Sequence, residues 1–365
     1  MRIETIKTYE AFASLKEDWE AVYAADPEAQ FFLSWTWLSI WLKGTRNWAV
    51  LIARPDASSP PVAFFPIRLQ IKKTSTGGVI KEVVMAGSRA ADYTGFICRP
   101  ECEDKVIPVF AKSVQLIKWD QLQLENICLS PRRIRHFLSH FPPEVYDSKC
   151  TKIFNKNETT DHYVCPYVTL PESWESYVSN SLGVNTRQKV RRFLRKVDNS
   201  GDLRIACATA GTIDRDLNIL LQLWTQKWGP IKGKDTLASL QSIYKTTLTE
   251  SFEAGTLLLP VFWTGQTAVG ALATFIDREK KSLLFYIGGR DESFKSLPAG
   301  FILHAWSLRF AINSGFKTYD FLRGNEPYKY VFGCQERQIR HIIVSVRSAE
   351  AVDAPGRSTP AHQPA

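Results

Sequence analysis

Residues 283–328 limit the folds open to this 365-residue chain more than any other stretch. Residues 283–287 are a short apolar run rich in strand formers, ended by Gly288 and Gly289. Pro298, Ala299 and Gly300 then open a run, 301–312, that is apolar on almost every side and predicts a buried helix. Gly315 stops it in the left-handed position, and Phe316 is placed to fold back onto the last turn. Residues 318–322 predict a second short strand. Strand, crossover helix and strand imply a parallel pair, whose ligands bind where the strand ends meet the helix N-terminus.

The free N–H groups of a first helical turn, reinforced by the helix dipole, suit a phosphate. Lys295, just upstream, supplies a full charge. By themselves these residues fit better a core helix that Pro298 starts and Gly300 lets pack closely. The neighbouring elements add weight to the ligand site. Residues 256–263 and 268–276 predict two strands joined by a turn at Gly265 and Gln266, and two helical stretches precede them.

Asp92-Tyr93, the basic run from Asn185 to Lys196, Phe285-Tyr286-Ile287-Gly288-Gly289, Pro298-Ala299-Gly300, and Tyr319-Asp320-Phe321-Leu322 with Gly324, Glu326, Tyr328 and Lys329 occur in that order. In this the chain resembles the GNAT-like acetyltransferases of the CelD/BcsL type (BioF2-like acetyltransferase domain), distant relatives of the FemAB aminoacyl transferases. The resemblance covers about residues 31–346. It implies an α/β (α+β) fold of two tandem GNAT-like acyltransferase units, each a mixed, mostly antiparallel sheet flanked by helices. The first half repeats the coarse plan of the second but lacks a Pro-Ala-Gly turn opening an apolar helix, so no cofactor is expected there. The expected units are 1–163 and 164–347, with a disordered tail at 348–365 rich in Ala, Pro, Ser and Gly.

Acyl transfer to an amine needs a held donor, hydrogen-bond donors for the oxyanion, a sink for the amine proton and a proton for the leaving thiolate. The resemblance assigns acetyl-CoA or another acyl-CoA to Lys295, Ala299, Gly300 and Phe301, with Tyr286, Ile287 and Gly288 on the preceding strand. It makes Tyr328 the thiolate's proton donor and Asp320, Glu326 and Asp92 the candidate bases. Tyr93, Arg187, Arg191 and Lys329 are the expected substrate-binding residues. The usual GNAT phosphate loop, Gln/Arg-x-x-Gly-x-Gly/Ala, is only loosely echoed by Lys295 and Gly300. His304, in an apolar helix, reads as a core histidine.

A formal net charge of +9 favours anionic partners without naming one. Six of the ten residues from Arg187 to Lys196 are basic. Val190, Phe193, Leu194 and Val197 recur at helical spacing, with Arg187, Arg191 and Arg195 on another face and Asn185 as the expected cap. This helix reads either as a packed amphipathic helix with a solvated face or as a clamp for an anionic ligand. Nucleic acid is not expected, since no recognisable binding module accompanies it.

The aromatic stretch 31–42, capped by Ser34, predicts a helix packed inside the domain rather than on a membrane, given its few flanking cations. Residues 231–236 predict a loop after a break at Gly229 and Pro230, and 155–160 the least structured part of the inter-unit stretch. Seven cysteines without paired spacing agree with a reducing compartment and imply no metal site. The N-terminus is too charged for a signal peptide, and no apolar run approaches a membrane span. A cytoplasmic N-acyltransferase is therefore expected, acting on an amine of a sugar or small metabolite, with polysaccharide biosynthesis as the setting the resemblance implies. The alternatives are a FemAB-like enzyme using charged tRNA and a non-catalytic anion-binding or scaffold protein on the same fold. No oligomeric state follows.

Overall fold

A computed structural model of the chain describes residues 1–74, 77–151, 160–232 and 234–347, without the side chains of 231–234. The expected tail and most of the stretch 155–160, expected to be the least structured, lie outside the described residues. Two mixed sheets carry the fold. The first contains β1 (Arg2–Ile6), β2 (Trp48–Arg54), β3 (Ala63–Lys73), β4 (Val79–Met85), β5 (Ile97–Cys98), β6 (Gln121–Ile127) and β7 (Tyr146–Thr151). The second contains β8 (Val164–Thr169), β9 (Leu203–Cys207), β10 (Leu257–Leu258), β11 (Pro260–Thr264), β12 (Thr267–Asp277), β13 (Ser282–Arg290), β14 (Thr318–Asp320) and β15 (Gln335–Gln338).

Both sheets repeat one plan. Antiparallel strands β2, β3 and β4 lead through the helix Glu103–Gln115 to β6, which lies parallel to β4. Strands β11, β12 and β13 lead through the helix Ala299–Asn313 to β14, parallel to β13. The fold is thus two tandem GNAT-like units.

The last strand departs from the expected division. β16 (Arg340–Val346) inserts between β6 and β7 of the first sheet, while β8, which follows β7 in sequence, inserts between β14 and β15 of the second. The expected unit 164–347 therefore loses its final strand to the other half. Ile342 and Val344 bury into the first core, so the first sheet takes one strand that the second half encodes.

The units share a core as well as strands. Ser34 accepts the Trp37 N–H at 3.2 Å and starts the helix Trp35–Lys43. Trp37 meets Phe275 edge-on with ring centres 5.3 Å apart, and Phe31 stacks on Phe275 at 4.8 Å. A continuous buried cluster crossing the interface resists hinge motion between units. The helices Ile213–Lys232 and Lys234–Glu253 take up the described residues of the expected loop 231–236, residue 233 lying outside them, and Gly229 and Pro230 lie within the first. Among the described residues no helix is long and apolar enough to cross a membrane.

Candidate active site

Strands β13 and β14 pair over only three residues each, from Ser282 with Thr318 to Leu284 with Asp320, and then separate. The side chain of Asp320 explains where. Its Oδ1 accepts the Leu322 N–H at 2.8 Å, closing a tight turn in which Leu322 takes φ 56° and Gly324 φ 101°. A left-handed leucine costs about 1–2 kcal/mol and cannot continue a strand. The chain leaves the sheet there, and the strand edge of Phe285 to Gly288 is left without a neighbour on that side.

The helix Ala299–Asn313 packs behind this gap. Its first-turn N–H groups at Ala299, Gly300 and Phe301 precede the first helical acceptor, the Pro298 carbonyl taken by Ile302 at 3.0 Å. A cavity of about 550 Å³ lies between that turn, the open strand edge and the helices Val184–Asp198 and Ile213–Lys232. Arg290, Lys189 and Lys227 supply its cations, and Gly288, Gly300 and Phe301 lie in its wall. A Cβ built on Gly300 would sit 3.8 Å from Arg290 Nη1, so this guanidinium faces the helix N-terminus. Arg290 is steadied by Glu292, with Nε to Oε1 at 2.9 Å. One turn further along, His304 and Tyr328 share the wall, their ring centres 5.8 Å apart. Phe193, Phe285, Phe301 and Phe332 make the rest of that end apolar.

Tyr328 lines the cavity wall with 45% of its surface exposed, and partial desolvation followed by Glu326 pushes its phenol up from the usual range. It therefore keeps its proton. His304 is buried, with Nδ1 3.1 Å from the Tyr319 hydroxyl. Burial, then the Lys329 ammonium, lowers its pKa to about 3, so the imidazole is neutral.

Several expected site residues serve other ends. Asp320 is buried; besides Leu322, it accepts the Tyr93 hydroxyl at 2.9 Å on each oxygen and Arg337 Nη1 at 2.9 Å. It ends β14 and ties the units together, with no oxygen left for a base's work. Tyr93, fully buried, is spent on that same contact rather than on substrate. Lys329 is buried too, donating to the Arg323 and Gly324 carbonyls at 2.8 Å and pairing with Glu326 at 2.9 Å. Its donors hold the turn that carries Tyr328.

Tyr286 points to the opposite sheet face, where its hydroxyl donates to the Ala90 carbonyl at 3.0 Å, and Ile287 is in the core. Lys295 lies off the cavity in a neighbouring depression of about 290 Å³, against Pro298 and Ala299. Arg187 donates to the carbonyls of Ser179 and Leu182, and Arg191 pairs with the exposed Glu175 at 2.8 Å. The basic helix does reach the cavity, but through Thr186, Lys189 and Phe193 on its other side. Gly183, not Asn185, is its cap. Asp92 pairs with Arg323 at 2.8 Å in the seam between the units, and Glu326 stays about a third exposed beside Lys329.

Sequence reasoning missed Arg290, Lys189 and Lys227. Arg290 closes β13 after Gly289, five residues before Lys295; the strand's length was the missing signal.

Residues 184–330 match the family model described as an acetyltransferase (GNAT) domain. No curated protein matches the chain in sequence. Among solved structures the fold resembles FemX, at 9% identity and a TM-score of 0.62, over 94% of this chain and 97% of that one. It is similar to the C-terminal domain assigned to a lysylphosphatidylglycerol synthetase from Agrobacterium fabrum, at 10% identity and a TM-score of 0.54, over 91% and 92% of the two chains. A tandem GNAT protein from the clavulanic acid biosynthesis pathway aligns at 7% identity and a TM-score of 0.52, over 94% and 98%. At such identities these likenesses bear on the fold. The matched segment holds the splayed strands, the crossover helix and Tyr328, and it is similar to the acetyltransferase (GNAT) domain family, within a chain of tandem GNAT-like fold.

Proposed function

We propose that the chain is an N-acyltransferase that moves an acyl group from acyl-CoA to a small amine. The observation that carries this is the make-up of the cavity wall: a helix N-terminus faced by Arg290, with Lys189 and Lys227 also in the lining, and a tyrosine beside a group of aromatic side chains one helical turn further along. That arrangement fits a donor whose pyrophosphate is anionic and whose thioester is not. The free strand edge from Phe285 to Gly288 offers N–H groups to the developing oxyanion. Tyr328 gives its proton to the leaving thiolate, and Glu326, next to its turn, takes the proton of the attacking amine. Polysaccharide biosynthesis, the setting implied by the CelD/BcsL resemblance, is part of the proposal.

A charged-tRNA donor is the second reading, favoured by the likeness to FemX over nearly the whole chain. Calorimetry separates the two. Acetyl-CoA and free CoA should bind in the micromolar range, and Gly300→Asp, whose carboxylate would meet Arg290 where the pyrophosphate belongs, should abolish both. Absence of binding by the wild type would move the assignment to the tRNA donor or to a scaffold.

A further inference from the structure

His304 is a neutral imidazole in the cavity wall that the proposed chemistry leaves unused. Its Nδ1 is engaged in the core by the Tyr319 hydroxyl at 3.1 Å, so Nε2 is the nitrogen left for the cavity. Phe285 meets the imidazole edge-on with ring centres 4.6 Å apart, and Phe321 lies at 5.1 Å, which fixes the ring's plane. A phenol is the better donor of the two partners, and its donation to Nδ1 places the imidazole proton on Nε2. The ring sits one helical turn beyond Gly300, about 6 Å along the axis, on the path from the cationic end to Tyr328.

We infer that His304 donates its Nε2–H to the thioester carbonyl oxygen of the bound acyl donor. This rests on the acyl-CoA reading above. A neutral imidazole polarises a carbonyl without competing for protons, and a fixed donor in a dry site strengthens as negative charge develops on oxygen. During transfer the C–N bond forms, the carbonyl opens to an oxyanion held by Nε2–H and the strand edge, and the C–S bond then breaks. The amine proton leaves to Glu326, the thiolate takes the Tyr328 proton, and His304 keeps its own.

The test compares calorimetric affinities for CoA, acetyl-CoA and the carbonyl-free thioether S-ethyl-CoA, so no acceptor is needed. The wild type should prefer acetyl-CoA to the thioether by about three- to tenfold, the worth of one net hydrogen bond. His304→Leu should lose that preference with CoA affinity unchanged, and His304→Gln should recover part of it. Should His304→Leu fail to fold, Tyr319→Phe, which releases the tautomer, is read instead and should reduce the preference. A wild type that binds CoA without preferring the thioester, or a preference that survives in the variants, overturns the inference and leaves the acyl-CoA reading standing. A wild type that binds none of the three ligands overturns both.

Discussion

Tyr93 in the first unit donates its hydroxyl to both carboxylate oxygens of Asp320 in the second, at 2.9 Å to each. The same carboxylate makes the Leu322 turn that ends β14 and opens the cavity. A contact between units therefore supports the gap in which the donor is proposed to lie. Tyr93→Phe removes a donor from a buried charge and should destabilise the protein by about 1–3 kcal/mol. The urea midpoint at neutral pH measures this; an unchanged midpoint would mean that Arg337 and the Leu322 N–H suffice.

The cations divide sharply by position. Arg290→Ala and Lys189→Ala should each weaken CoA binding by roughly tenfold, a charge-assisted contact's worth. Lys295→Ala and Arg191→Ala should leave it nearly unchanged, since neither side chain lines the cavity. Equal losses in all four would show a diffuse field rather than placed contacts.

Tyr328→Phe keeps the ring that packs near His304 and removes only the acidic proton. Turnover by thiol release should fall by about 10²- to 10⁴-fold while CoA affinity holds. Unchanged turnover would sink its role as proton donor.

The two glycines near the end of β13 act on different links. A Cβ on Gly289 would lie 2.6 Å from the Trp224 nitrogen and 2.7 Å from Leu223 Cβ, so Gly289→Ala must push the helix Ile213–Lys232 off the sheet. A loss of about 1–3 kcal/mol is expected in thermal or urea unfolding. At Gly288 the nearest atoms are the tips of Leu272 and Phe285, both cavity residues, at 2.7 and 3.2 Å. Gly288→Ala should therefore weaken ligand binding more than it lowers stability.

Burial sets a pH dependence through His304, aided by the neighbouring Lys329. The folded pKa of about 3 lies below the ordinary 6.5, so the folded state binds fewer protons between those values. This contribution is fully present above pH 6.5 and is lost as pH falls toward 3, at up to about 1.4 kcal/mol per pH unit. His304→Leu lacks it. Denaturant titrations from pH 7 to 4 should show wild-type stability falling relative to the variant; parallel curves would mean that His304 charges freely in the folded state.

The tandem plan was legible in the chain because it is written in local signals. The strand 283–287, the Pro298 turn, the apolar run after Gly300 and the Gly315 stop correspond to β13, the helix Ala299–Asn313 and β14 within a few residues. Hydrophobic period and turn chemistry act over neighbours in sequence, so one chain displays them. Tyr328, Gly288, Gly300 and Phe301 reached the cavity wall for the same reason.

What lay beyond local reach was the use of each polar group. Asp320, Tyr93 and Lys329 look like reagents in a motif but are buried in contacts whose partners lie up to 227 residues away. The basic helix was correctly located, yet whether Arg187 or Lys189 met the cavity depended on which face packed, and Val190, Leu194 and Val197 turned Lys189 toward it. The return of β16 to the first sheet was likewise invisible, since its alternation suits either sheet. Sequence determined the elements and their order; long-range burial and pairing decided which side chains were left free to act.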